Sequence, residues 1–243
     1  MKKNGFLILI FLFFLNAGVL QVNAELTTGL NLQGQEKKII DTLSYFDNRR
    51  YNVVFHLFYA LPIGLAYATT KTFIYGETAI LTIEINSMYH HNIESCFSVR
   101  TGKPLWHKWK IESIFGKKDI SAFFDNDKGL IYYTKNNERK TLNFKEQVYD
   151  PLSAMTYYIA GQTKYGKLKE GELKTDILWY NGNIYNALLG IKKEKKLFRV
   201  EVLSNKKPGG YAYFDEFGRP IGGEAYAFPF VGRVSVYDNK LKR

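Results

Sequence analysis

From Tyr51 to Tyr237, apolar residues recur at alternate positions in short runs separated by turn residues. This period of two constrains the chain more than any other feature, because successive side chains of a strand point to opposite faces. In the first run, Tyr51, Val53, Phe55, Leu57 and Tyr59 alternate with Asn52, Val54, His56 and Phe58. Both faces are partly apolar, which predicts a strand lying between two covered surfaces. The same reading predicts strands at 66–74, 79–88, 96–101, 106–115, 120–124, 130–134 and 140–144, then at 173–180, 184–191, 197–203, 211–214, 224–228 and 233–237. Turn residues separate them, including Tyr75-Gly76, Phe115-Gly116-Lys117, Asn126-Asp127-Lys128-Gly129 and Asn181-Gly182. Asn-Gly is a strong hairpin signal because both residues accept positive φ. No linker, composition break or repeat divides the series, so residues 49–243 read as one antiparallel β-rich domain.

The N-terminus reads differently. Lys2 and Lys3 precede the apolar run Phe6 to Leu15, and Val22-Asn23-Ala24 is a small-residue cleavage site. This is the pattern of a cleaved secretory signal covering residues 1–24, and the run is too short for a stable membrane anchor. The mature chain is expected to begin at Glu25 and to be exported, periplasmic and soluble. Residues 25–48 then form a polar segment in which Ile39, Ile40, Leu43 and Phe46 have the spacing of a short amphipathic helix. Loss of Lys2 and Lys3 lowers the net charge of +11 by two. Export disfavours nucleic acid, so the expected partners of that charge are anionic envelope components, with simple solubility as the alternative. Cys96 is the single cysteine, so no internal disulfide forms and a buried thiol is expected.

One segment departs from the β pattern: Asp150-Pro-Leu-Ser-Ala-Met-Thr-Tyr-Tyr-Ile159. Asp150 is a good N-cap, Pro151 suits the first helical position and Gly161 is a natural terminator. Leu152, Met155, Thr156 and Ile159 share one face of the helix so defined. The expected partner of that face is the concave side of the sheet rather than another helix. The helix either plugs the core or encloses a pocket with the sheet.

At this helix the chain resembles the exported bacterial family known as domain of unknown function 3108. The likeness rests on Asp150, Leu152, Ser153, Ala154, Tyr157 and Tyr158. An early strand pair at Tyr51 to Ala68, joined at Pro62-Ile63-Gly64, and a late strand with an acidic turn from Tyr213-Phe214-Asp215 to Pro220 extend it over about residues 49–238. An arginine expected soon after the tyrosine pair is replaced by the run Ile159 to Gln162. The resemblance implies a periplasmic protein without established activity, so it supplies no catalytic residues. It also implies a mainly β fold: a single curved antiparallel sheet or open half-barrel with one or two short helices packed on it.

Motifs for chemistry are weak. Gly161 to Lys167 satisfies most of a phosphate-binding loop, but Leu168 stands where a hydroxyl is required and a helix precedes it. His90 and His91 would point to opposite faces of a strand, and no zinc-ligand spacing accompanies them. No Gly-x-Ser-x-Gly elbow is present. Ser153 is expected to bond back to the backbone. No cofactor, metal or catalytic residue is assigned.

The aromatic content (18 Tyr, 18 Phe, 3 Trp) exceeds what a modest core requires and suits apolar surfaces with wet edges. The expected pocket comprises Leu152, Met155, Tyr157, Tyr158, Ile159, Trp106, Trp109, Trp179 and Tyr180, with Lys192, Lys193, Lys195 and Lys196 as a basic rim. The leading expectation is a non-enzymatic envelope protein binding a lipid or other apolar ligand between sheet and helix. A structural or adaptor protein that binds another envelope protein through a sheet edge is the alternative, and a cell-wall or carbohydrate hydrolase with dispersed carboxylates a weaker one.

Overall fold

The computed structural model describes residues 34–57, 61–87, 89–113, 116–164, 167–178, 182–204, 207–226 and 233–238. Residues 1–24, expected to be a signal, most of the polar stretch that follows them, Gly166, Asn181 and the aromatic pair Trp179 and Tyr180 lie outside them. In chain order the elements are α1 (Gln35–Ser44), β1 (Arg49–Leu57), β2 (Leu61–Tyr75), β3 (Thr78–Asn86), β4 (Tyr89–Ser98), β5 (Pro104–Ser113), β6 (Gly116–Asp125), β7 (Leu130–Lys135), β8 (Glu138–Asn143) and β9 (Val148–Tyr149). There follow α2 (Pro151–Gln162), β10 (Thr163–Lys164), β11 (Lys167–Leu168), β12 (Gly171–Leu178), β13 (Ile184–Glu194), β14 (Leu197–Ser204), β15 (Lys207–Phe214), β16 (Pro220–Tyr226) and β17 (Arg233–Asp238).

Fifteen of these strands form one sheet, in the order β8-β7-β6-β5-β4-β3-β2-β1-β17-β16-β15-β14-β13-β12-β9. It consists of two antiparallel meanders joined where β17 pairs with β1. The chain connection forces the curvature. β8 lies at one edge, yet residues 144–147 carry the chain to β9, which pairs in parallel with β12 at the other. Laid flat, the sheet would be roughly 65 Å across, whereas so short a link reaches about 18 Å. The sheet therefore curls into a half-barrel whose edges approach. The Lys140 ammonium of β8 donates to the Gly182 carbonyl at 2.9 Å, and a Cβ at Gly182 would strike the Tyr133 ring.

Alternation decides what fills the curve. Along β3, Ala79, Leu81, Ile83 and Ile85 are buried, whereas Thr78, Ile80, Thr82 and Glu84 face outward. One apolar core joins the inward residues of both meanders to those of the two helices. The turns after β2, β4, β6, β13 and β15 emerge at the same end of the sheet, and both helices lie there. Asp47, just after α1, accepts from the Thr72 amide at 3.0 Å, and Ile159 of α2 lies beside Gly218 in the turn after β15.

Three expectations need correction. First, α2 packs against α1 as well as the sheet; it is buried nearly all round, so a single apolar face under-describes it. Second, Gly161 does not stop the helix, which runs to Gln162. The Thr163 hydroxyl donates to the Ile159 carbonyl at 2.8 Å and helps end the helix without a left-handed glycine. Third, the strand expected from Cys96 begins at Tyr89 and ends at Ser98. His91 and Ser95 interrupt the apolar alternation but point inward, where they find polar partners. Ile39, Ile40, Leu43 and Phe46 are buried, with helical structure over the first three.

Candidate functional site

The most concentrated polar group is buried at the start of α2. Asp150 caps the helix: its Oδ1 accepts from the amides of Leu152 and Ser153 at 2.9 and 3.3 Å. Its Oδ2 accepts from the Ser95 hydroxyl of β4 at 2.8 Å. His107 of β5 places Nδ1 3.5 Å from Oδ1, longer than a good hydrogen bond. The Ser153 hydroxyl donates back to the Asp150 carbonyl at 3.1 Å, as its helical position predicts. Burial alone would push the Asp150 carboxyl up. The adjacent His107 ring and the hydroxyls of Ser153 and Ser95 outweigh it and hold the group below the usual carboxylate range.

Ser95, Asp150 and Ser153 are wholly buried and His107 nearly so. The carboxylate sits between serine and histidine, an order unlike that of a nucleophilic triad, in which the histidine joins the other two. Chemically the group is a clasp that ties α2 to β4 and β5. Ser95 and His107 were not singled out from the sequence as its partners. Their signal is a polar residue on an inward position of an otherwise apolar strand face.

A second inward polar pair lies farther along the same strands. The Trp109 indole donates to His91 Nδ1 at 3.2 Å. Burial, followed by the charge of His90, lowers the His91 pKa to about 4. His90 points the other way, towards Asn86, so the two histidines do part as expected. Among the described residues no group of three His, Cys, Asp or Glu side chains is arranged to hold a metal.

Those of the expected pocket residues that are described do not share one space. Leu152, Met155, Tyr158, Ile159 and Trp109 are buried in the common core. The Tyr158 hydroxyl donates to the Gly171 carbonyl at 2.5 Å. Tyr157 is half-buried, stacks on Tyr149 with ring centroids 5.4 Å apart, and lies against Gly102, whose φ of +71° and missing Cβ make room for the ring. Trp106 is on the opposite, outer face of the sheet, with the Lys108 ammonium 4.8 Å from its ring centroid. Lys192, Lys193, Lys195 and Lys196 are exposed around the turn between β13 and β14, at the helix-bearing end. Cys96 also points outward but is covered, and burial followed by the Asp150 charge pushes its thiol pKa up.

No protein-family model matches this chain, and no curated protein is similar to it at a significant level. Its architecture does have a solved counterpart. The chain shares the fold of a β-barrel-like protein. That protein, from Brucella abortus, belongs to domain of unknown function 1849; it is 8% identical, with a TM-score of 0.52 over 78% of this chain and 94% of the other. A Pseudomonas aeruginosa protein of the DUF1089 family aligns over 72% of this chain and 91% of its own, at 10% identity and a TM-score of 0.39, too low for a common fold to follow.

Proposed function

We propose that this chain is a non-enzymatic, exported cell-envelope protein that serves as a structural or adaptor scaffold and works through its outer surface. The observation that carries this reading is the packing of α2. Leu152, Met155, Tyr158 and Ile159 are each at most 2% exposed, which supports a plug in the concave side rather than one wall of a ligand site. The buried Ser95, Asp150 and His107 side chains bind a helix in place, which supports a structural rather than catalytic role for the polar cluster.

Export rests on Lys2, Lys3, the run Phe6 to Leu15 and Val22-Asn23-Ala24, and on the resemblance to the domain of unknown function 3108 family. The exposed lysines of the β13–β14 turn suit an anionic envelope component. The edge strand β8 suits an envelope protein that adds a strand, although Glu138, Arg139 and Lys140 are residues of the kind that discourage indiscriminate pairing.

The test is to express the full chain, recover it from the exported fraction without detergent, and extract it for mass spectrometry of bound lipid. A folded, lipid-free protein is the expected result. A stoichiometric lipid that is lost on Met155 or Tyr158 substitution would overturn the scaffold reading in favour of a carrier with its ligand between sheet and helix.

A further inference from the structure

One level of the outer face differs from the rest of it. Phe73 of β2 is the partner of Ile80 on β3, Ile80 of Cys96 on β4, Cys96 of Trp106 on β5, Trp106 of Phe123 on β6 and Phe123 of Tyr132 on β7. Direct partners in a sheet share a face, so these six residues make one apolar row across six strands, about 24 Å long. Both ends of it are open: Phe73 is 45% exposed, Phe123 54% and Tyr132 44%, while Ile80 and Trp106 between them are half-buried and Cys96 is covered. Single exposed aromatics are ordinary on a protein surface, but a continuous row marks a surface that meets something apolar.

The adjacent level supplies charge. It runs Lys71, Thr82, Glu94, Lys108, Ser121, Thr134 and Arg139, three cations against one anion. The Lys108 ammonium reaches back over the Trp106 ring. Aromatic side chains beside lysine and arginine match the boundary between hydrocarbon and anionic headgroups. A soluble polyanion would satisfy the cations and leave the row in water, whereas a bilayer satisfies both.

We propose that this row and its flanking cations dock the protein on the surface of a bilayer bearing anionic phospholipid. The inference rests on the scaffold reading above and names the partner of the outer surface. The row follows the convex side of the curled sheet, so Trp106, Phe123 and Tyr132 of β5 to β7 insert between headgroups with Lys108 and Arg139 on phosphate, and Phe73 and Lys71 of β2 flank the same contact. No strand crosses the membrane in this arrangement.

The experiment is co-sedimentation of the full, detergent-free protein with phosphatidylglycerol–phosphatidylcholine vesicles and with pure phosphatidylcholine vesicles, at low and high salt. Binding to the anionic vesicles, weakened by salt, is expected. The double variant Phe73→Ser/Phe123→Ser removes exposed groups, so it leaves thermal unfolding unchanged and lowers the partition constant by about tenfold or more. Lys71→Glu/Lys108→Glu lowers it by a similar factor, on the order of tenfold or above, on anionic vesicles only. A lipid-free wild type that ignores anionic vesicles overturns the docking proposal and leaves the scaffold reading standing; a co-purified internal lipid overturns the scaffold reading itself. If charge reversal of Lys192, Lys193, Lys195 and Lys196 abolishes binding and the row variants do not, the proposal fails in favour of the basic turn. If the wild type instead forms a concentration-dependent dimer that Phe123→Ser dissolves, the row joins two copies of this chain, and the membrane proposal fails.

Discussion

The Ser95 hydroxyl donates to Asp150 Oδ2 at 2.8 Å, joining a strand to the cap of a helix 55 residues later in the chain. Both groups are fully buried. Substituting Asp150 by Ala removes the cap for two amides, strands the Ser95 hydroxyl without its acceptor and takes the carboxylate away from beside the buried His107 ring. The expected loss is roughly 3–5 kcal/mol. Ser95→Ala takes away one hydrogen bond to a carboxylate that keeps its other partners, for about 1–2 kcal/mol. Urea unfolding of the two variants checks the order, and equal losses would mean that the Ser95 bond is all that Asp150 contributes and the cap adds nothing.

Met155 is 1% exposed on the helix that fills the half-barrel. Met155→Ala leaves a cavity and should cost about 2–5 kcal/mol, whereas Met155→Asp buries an unpaired charge and should unfold the domain. Circular dichroism with thermal melts reads both. A Met155→Asp protein that melts like wild type would show that α2 is not docked.

Gly102 sits at φ +71° with the Tyr157 ring where a Cβ would be. Gly102→Ala should therefore destabilise by roughly 2–4 kcal/mol, through backbone strain and overlap together. Trimming Tyr157 to Ala in the same chain removes the ring overlap but not the strain, so the double variant should lose less than the sum of the single losses. Strict additivity in that cycle would rule out the contact as the cause.

Two inward-facing groups give the stability two separate acid limbs. His91 titrates near 4 when folded, against about 6.5 when unfolded. Between those limits the unfolded chain holds more protons, so stability is full above pH 6.5 and falls as pH drops to about 4, by at most about 1.4 kcal/mol per unit. The folded Asp150 pKa is depressed, so its contribution is present above the unfolded value of about 3.9 and is lost as pH falls through the folded one. His91→Gln should flatten the upper limb and leave the lower. Unfolding midpoints measured across pH 4.5 to 7.5 decide it, and an unchanged slope in His91→Gln would assign the limb elsewhere.

Local order supplied most of the elements. The alternation from Tyr51 onward placed nearly every strand, and Asp150 with Pro151 marked the start of α2, because periodicity and capping are short-range properties that a single stretch displays. Residues whose reason for being there lies far along the chain were harder to read. His91 and Ser95 look like breaks in a strand until Trp109 and Asp150 are brought to them, and for that reason the beginning of β4 was not recognised. Sequence alone places Leu152 and Trp106 in one pocket, although one belongs to the core and the other faces outward.

A β-rich chain with a capped helix in its middle is legible from residue order alone, since side-chain period and N-cap chemistry act within a few residues. Tertiary structure alone decided that β17 docks on β1, that the link from β8 to β9 curls the sheet, and that α1 and α2 close one end of it. It also decided that Phe73, Ile80, Cys96, Trp106, Phe123 and Tyr132 stand side by side on the outer face. Register between strands is a relation between distant segments, fixed by which pairings bury the inward faces together, and no single strand contains that information.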